Sequence, residues 1–184
     1  ILQMQKKLII FIPSIEGGGV EKNLFIISKY LKDKIKNISV ITLSNRYKNR
    51  FVGINFISPK ANFWSKIGRR KKFFVGLFLL FLEILKDRNI LVFSFQGNVY
   101  CTLLCKLLGI KIIVRSNSAP DGWSQNKLKY LVFKYVLGSA DKIIVNSLDF
   151  KKKFKTKFKI HAECIYNPLN KNEIIKKSKI KNKF

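Results

Sequence analysis

Seven short segments of this chain read as strands, most of them built on apolar runs. They are KKLIIFIP (6–13), ISVITLS (38–44), INFIS (54–58), ILVFSF (90–95), IKIIVRS (110–116), DKIIVNS (141–147) and HAECIYNP (161–168). A strand covered on both faces carries apolar side chains at successive positions, whereas a half-exposed strand alternates. Between the runs the period changes. Val20, Leu24, Ile27 and Leu31 fall at helical spacing, with Lys22, Lys29 and Lys32 between them. A long helix is predicted from about Trp64 to Lys86, another from Asn98 to Leu108 stopped by Gly109, and a third from Ser124 to Leu137 stopped by Gly138. Ser147 is a good N-cap for the basic helix LDFKKKFKTKF. Strands alternating with helices build βαβ units, so the expected fold class is α/β, a Rossmann-like parallel sheet with helices on both faces. A chain of 184 residues accommodates one such domain.

The turn between the first strand and the first helix is glycine-rich: Gly17, Gly18 and Gly19. In a parallel sheet this turn lies at the carboxyl ends of the strands, where ligands bind, and helix amides there favour phosphate. A nucleotide or sugar-phosphate site follows from this placement; a merely tight turn is the alternative. Two familiar phosphate motifs are excluded. The dinucleotide fingerprint has Lys22 where its third glycine belongs, and the second strand ends in Leu43-Ser44-Asn45 without a ribose-binding acid. No G-K-[ST] follows, so this is not a Walker loop.

Lys and Arg number 37 against 10 acids, a net charge of +27 that favours anionic partners. Six of the cations are Arg and 31 are Lys. Lys, Ile, Asn and Phe all take A/T-heavy codons, so base composition is a second source of the excess. Cys101, Cys105 and Cys164 are odd in number, His161 is the only histidine, and no Cys/His set has zinc spacing. A reduced, cytoplasmic compartment is the expectation. The longest apolar run, Phe73 to Leu85, contains Glu83 and is too short to span a bilayer. With the cations before it, segment 66–86 offers peripheral contact with the inner face of a membrane. Burial of its apolar residues against the sheet is the competing reading.

Four segments together resemble family-four retaining glycosyltransferases of the GT-B fold. EGGGVEKNLFIISKYL (16–31) resembles their G-G-x-E loop and first helix, RSNSAPDGW (115–123) the loop after the fifth strand, SADKIIVNS (139–147) an A-D-x-I-I-x-x-S segment, and IYNPL (165–169) the interdomain junction. The resemblance covers about Lys6 to Leu169. It implies an N-terminal, acceptor-side domain over 1–169, one half of a GT-B fold. Residues 170–184 then form a lysine-rich tail or the start of a missing C-terminal domain, which a separate chain could supply. The first residue is Ile1, so a fragment is expected. The resemblance implies a nucleotide-diphosphate sugar as donor substrate, no cofactor and no metal. It implies a sugar or lipid-linked acceptor, in polysaccharide, lipopolysaccharide or glycolipid synthesis, and no activity for this half alone. Gly17, Gly18 and Gly19 match the loop that approaches donor or acceptor, Glu21 the acid at the helix head, and Arg115 and Asn117 polar positions of the cleft. Gln96 stands where many members carry a histidine facing the acceptor, so the chain departs from the family there. Glutamine hydrogen-bonds a sugar hydroxyl but does not titrate near neutral pH.

A different class of function also fits the charge. KKKFKTKFK (151–159) interleaves aromatics with lysines, as a non-enzymatic nucleic-acid-binding module would. The scarcity of Arg and the absence of an RNA- or DNA-reading motif make nucleic acid the less expected partner.

Overall fold

The computed structural model describes residues 6–61, 63–118, 120–123, 126–169 and 175. All seven segments contain strands: β1 (Lys7–Phe11), β2 (Ile38–Ile41), β3 (Asn55–Ile57), β4 (Ile90–Ser94), β5 (Lys111–Ser116), β6 (Lys142–Val145) and β7 (Glu163–Cys164). They form one sheet in the order β3-β2-β1-β4-β5-β6-β7, every pair parallel. The helices are α1 (Gly19–Lys32), α2 (Phe63–Lys66), α3 (Arg69–Lys86), α4 (Asn98–Leu107), α5 (Lys127–Val132) and α6 (Leu148–Lys153).

Alternation along the strands sends side chains into two cores. Leu8, Ile10 and Ile12 pack with Leu24 of α1, Ile38 and Val40 on one face. Ile9, Phe11, Val92, Ile112 and Val114 pack with Leu80 and Ile84 of α3, Cys101 and Cys105 of α4, and Phe154 and Phe158 on the other. Burying each such side chain contributes roughly 1.5–3 kcal/mol. At the start of β1, Lys7 Nζ donates to Glu83 Oε2 at 2.7 Å, and Lys86 bonds the other oxygen at 2.6 Å. Burial raises the acid's pKa, but hydrogen bonds from Lys7 and Lys86 outweigh it and hold Glu83 below its ordinary value.

The helix expected over 64–86 is broken between Lys66 and Arg69. Gly68 is extended (φ −61°, ψ 153°) and serves as N-cap of α3, a position glycine accepts far better than a helix interior. The helix expected from Ser124 begins at Lys127, because the Asn126 side chain caps it by accepting from Leu128 N at 2.8 Å. Ser124 and Gln125 lie outside the described residues. Both α5 and α6 end in a wider turn, Phe133–Leu137 and Phe154–Phe158 respectively. Gly109 is left-handed (φ +71°), as a C′ glycine is, whereas Gly138 stays right-handed (φ −62°). The run 161–168 pairs only at Glu163–Cys164. Ser147 caps α6 by accepting from Phe150 N at 3.2 Å.

Gly76 brings α3 close to the loop after β1. A Cβ at Gly76 would lie 2.8 Å from Pro13 Cβ and 3.4 Å from a Phe11 ring carbon. Neither neighbour is a flexible chain end. Gly76→Ala is therefore expected to cost about 1–3 kcal/mol by overpacking, whereas Gly19→Ala, at a helical position with open space around it, is expected to be neutral or stabilising by up to about 1 kcal/mol; urea unfolding of the two variants measures the difference.

Candidate functional site

Strands β1 and β4 are neighbours, yet the helices that follow them leave toward opposite edges: α1 leads to β2, α4 to β5. This is the switch point of a parallel sheet, where diverging connections leave a crevice beyond the carboxyl ends of the strands. A cavity of about 350 Å³ occupies it. Its lining includes Glu21 from the head of α1, Gln96, Asn98 and Tyr100 from the start of α4, Asn117 and Ser118 after β5, and Arg69 from the head of α3.

The polar groups around it are fixed by their own hydrogen bonds. Gln96 accepts from Ser14 N through Oε1 at 3.3 Å. Asn98 accepts from Ser94 Oγ at 2.9 Å and donates to Arg115 O at 3.0 Å. Asn117 donates to Phe95 O and to Arg115 O, each at 3.4 Å. Its buried Oδ1 has no partner among the described residues. A neutral amide acceptor without a partner suits a hydroxyl or N–H donor.

The glycine loop forms a second wall. Gly17 is left-handed (φ +96°), and a Cβ there would sit 3.2 Å from the Tyr47 hydroxyl. Gly18 caps α1 without a side-chain hydrogen bond. Glu21 bends back over it: a Cβ at Gly18 would lie 3.0 Å from Glu21 Oε2, and Glu21 Oε1 accepts from Glu16 N at 3.4 Å. Glu21 is buried and lines both this crevice and a larger groove of about 890 Å³ on the flank of α1. Gly17 and Gly18 line the larger groove, and Gly19 faces open space.

Thus Glu21, Gln96 and Asn117 meet in one cavity, with Gly17 and Gly18 beside it. Arg115, expected to reach the cleft, does not line either hollow. It is 2% exposed, and its Nη2 donates to Asn167 Oδ1 at 2.9 Å and Ile165 O at 3.3 Å. Burial pulls its guanidinium below the ordinary arginine value. Its side chain clamps the segment after β7 across the sheet's rim. Arg69, Asn98 and Tyr100 line the cavity without a motif that announces them. For Asn98 the local signal is its place just after Gln96 and Gly97, where the apolar strand ends and α4 begins. Among the described residues, no group of three His, Cys, Asp or Glu could hold a metal.

No protein-family profile matches the sequence, and no curated protein matches it. Solved structures match the fold. Anabaena Alr3699/HepE in complex with UDP and glucose superposes with a TM-score of 0.63 at 14% identity, over 91% of this chain and 46% of its own. The lipopolysaccharide outer core galactosyltransferase WaaB gives 0.59 at 15% identity, over 89% of this chain and 46% of its own. The fold is that of one half of a GT-B glycosyltransferase. Phytolacca americana UGT2, complexed with UDP-2fluoro-glucose and pterostilbene, gives 0.56 at 10% identity, over 95% of this chain and 57% of its own. The chain therefore spans about half the length of the GT-B structures it matches.

The Arg115 clamp predicts a local effect. Arg115→Met is expected to speed amide hydrogen exchange over 165–169 by about tenfold or more, the equivalent of one lost charge-assisted hydrogen bond. Amides of β1 and β4 are expected to change far less, and mass-spectrometric exchange reads both.

Proposed function

We propose that this chain is the acceptor-binding half of a nucleotide-sugar-dependent retaining glycosyltransferase, working with a donor-binding domain supplied by further sequence or a separate chain. The observation that carries this reading is the coincidence of a GT-B half-fold with a polar cavity at its switch point, lined by Glu21, Gln96 and Asn117. In the complete enzyme the crevice seats an acceptor sugar. Gln96 and Asn117 hydrogen-bond its hydroxyls, and Gly17, Gly18 and Gly19 face the donor diphosphate. Neutral amides position a sugar without competing for its proton. The donor half supplies the remaining contacts, so no transfer occurs without it.

The acceptor in this reading is lipid-linked or part of a growing polysaccharide. Phe74, Phe78 and Leu85 are 72%, 58% and 57% exposed on α3, opposite the buried Gly76, Leu80, Glu83 and Ile84. With half-buried Phe81 they form one apolar stripe. Arg69, Arg70 and Lys71 are exposed at its head, and Arg69 also lines the crevice. No helix among the described residues is long and apolar enough to cross a membrane. An apolar stripe headed by cations suits the interface of an anionic bilayer and places the crevice beside it.

The rival reading as a nucleic-acid module loses its main support in the fold. Phe154 and Phe158 are fully buried rather than free to stack on bases, and Lys153 and Lys157 pair with Asp121.

NMR titration with maltohexaose is expected to shift amides of 96–100 and 116–118, and Gln96→Ala with Asn117→Ala to weaken that binding about tenfold. UDP-glucose turnover is expected only after a donor-binding half is added. Sugar-induced shifts confined to other surfaces would refute the crevice as the acceptor site. In sedimentation assays with phosphatidylglycerol vesicles, Phe74→Ser with Phe78→Ser is expected to reduce binding by about tenfold or more. Equal sedimentation of both proteins would refute the membrane role of α3.

A further inference from the structure

The larger groove runs along α1, on the opposite sheet face from α3. Lys22, Phe25, Ile26, Lys29, Lys32 and Asp33 line it from the helix. From Lys22 to Lys32 is ten residues, about 15 Å of helix. Tyr47, Arg50, Val52 and Ile54 form the opposite wall, and Gly17, Gly18 and Glu21 close the end nearest the crevice. The charge is unequal: four cations face two carboxylates. None of Lys22, Lys29, Lys32 and Arg50 is in an ion pair among the described residues.

Two of the cations are held rather than free. Lys32 lies across Gly53, whose absent side chain leaves room for its stem: a Cβ there would sit 2.5 Å from Lys32 Cε. Arg50 stands over the Phe25 ring with its guanidinium carbon 5.7 Å from the centroid, and the Phe25 and Tyr47 rings lie 5.9 Å apart. Arg46 stands over the Tyr47 ring in the same way, 4.7 Å from its centroid, so both rings already carry a guanidinium. Cations without an ion-pair partner suit carboxylates or phosphates. A compact anion would use one cation; a row of cations over two to three helical turns fits an extended one.

We propose that this groove binds an acidic oligosaccharide, with Lys22, Lys29, Lys32 and Arg50 pairing with anionic groups along its length. The proposal rests on the acceptor-binding reading and specifies it: the acceptor is an acidic glycan, its reactive end at the crevice and its preceding residues lying along α1. Leu169 of the segment after β7 also lines the groove, and the lysines that follow it in the sequence carry the wrong sign to pair with its cations.

The test uses hexagalacturonate, maltohexaose and a single-stranded oligothymidylate of matched charge, with affinities measured calorimetrically at physiological salt. Hexagalacturonate is expected to bind about tenfold or more tightly than maltohexaose. Lys22→Glu with Lys29→Glu is expected to remove that advantage, whereas Lys152→Glu with Lys155→Glu, an equal charge change on exposed lysines of the other face, is expected to change it less than about twofold. Thermal melting checks that both pairs remain folded. Equal losses from both pairs would reduce the effect to bulk charge and overturn the proposal. So would absent hexagalacturonate binding, or tighter groove-dependent binding of oligothymidylate, which would mark a nucleic-acid groove. Maltohexaose binding that depends on Gln96 and Asn117 but has no acidic preference sinks the groove alone. Groove-dependent hexagalacturonate binding with no Gln96 or Asn117 dependence sinks the crevice reading instead.

Discussion

The parallel pairing of β1 with β4, running from Lys7 opposite Ile90 to Phe11 opposite Ser94, organises everything above it. Two adjacent strands point the same way, but their chains depart toward opposite edges. No helix can then cover the gap between them, and the loops that begin α1 and α4 must frame it. The Phe95 N to Phe11 O hydrogen bond at 3.0 Å and the Ser14 N to Gln96 Oε1 bond carry the pairing past the strand ends into those loops. The crevice is thus a consequence of strand order, and its polar lining depends on which residues occupy the first positions beyond each strand.

Much of this order is readable in the chain. The inner strands β1, β4, β5 and β6 read as apolar runs because burial on both faces leaves few polar positions, most of them at the strand ends. Residues at the ends of β1, β4 and β5 converge because those three strands are neighbours, which is why Glu21, Gln96 and Asn117 share one cavity. The side-chain partner of a given residue is harder to read. Alternation places Arg115 on the same face as Ile113, but its partners lie 50 and 52 positions downstream, and nothing local announces them. A buried guanidinium needs acceptors, and the returning segment supplies a backbone carbonyl and the Asn167 amide oxygen. The break before α3 and the late start of α5 were settled by caps, Gly68 and Asn126, whose local geometry competes with helix periodicity.

The charge of the chain is also distributed more selectively than its composition suggests. Lys7, Lys106, Lys142, Lys153 and Lys157 are neutralised by Glu83, Asp141, Glu163 and Asp121. Lys7–Glu83 is largely buried, whereas the other pairs are exposed or half-exposed and, screened by water, add little to stability. Cations without an ion pair line α1 and the head of α3, and others, such as Lys152 and Lys155, stand exposed on the outer helices.

Glu21 stands between the two hollows as a shared partition of one side-chain width. Its carboxylate is anchored by a single long contact to Glu16 N, while its stem belongs to the rigid first turn of α1. The same carboxylate therefore faces both hollows, and any change of residue at this position alters the walls of the two together.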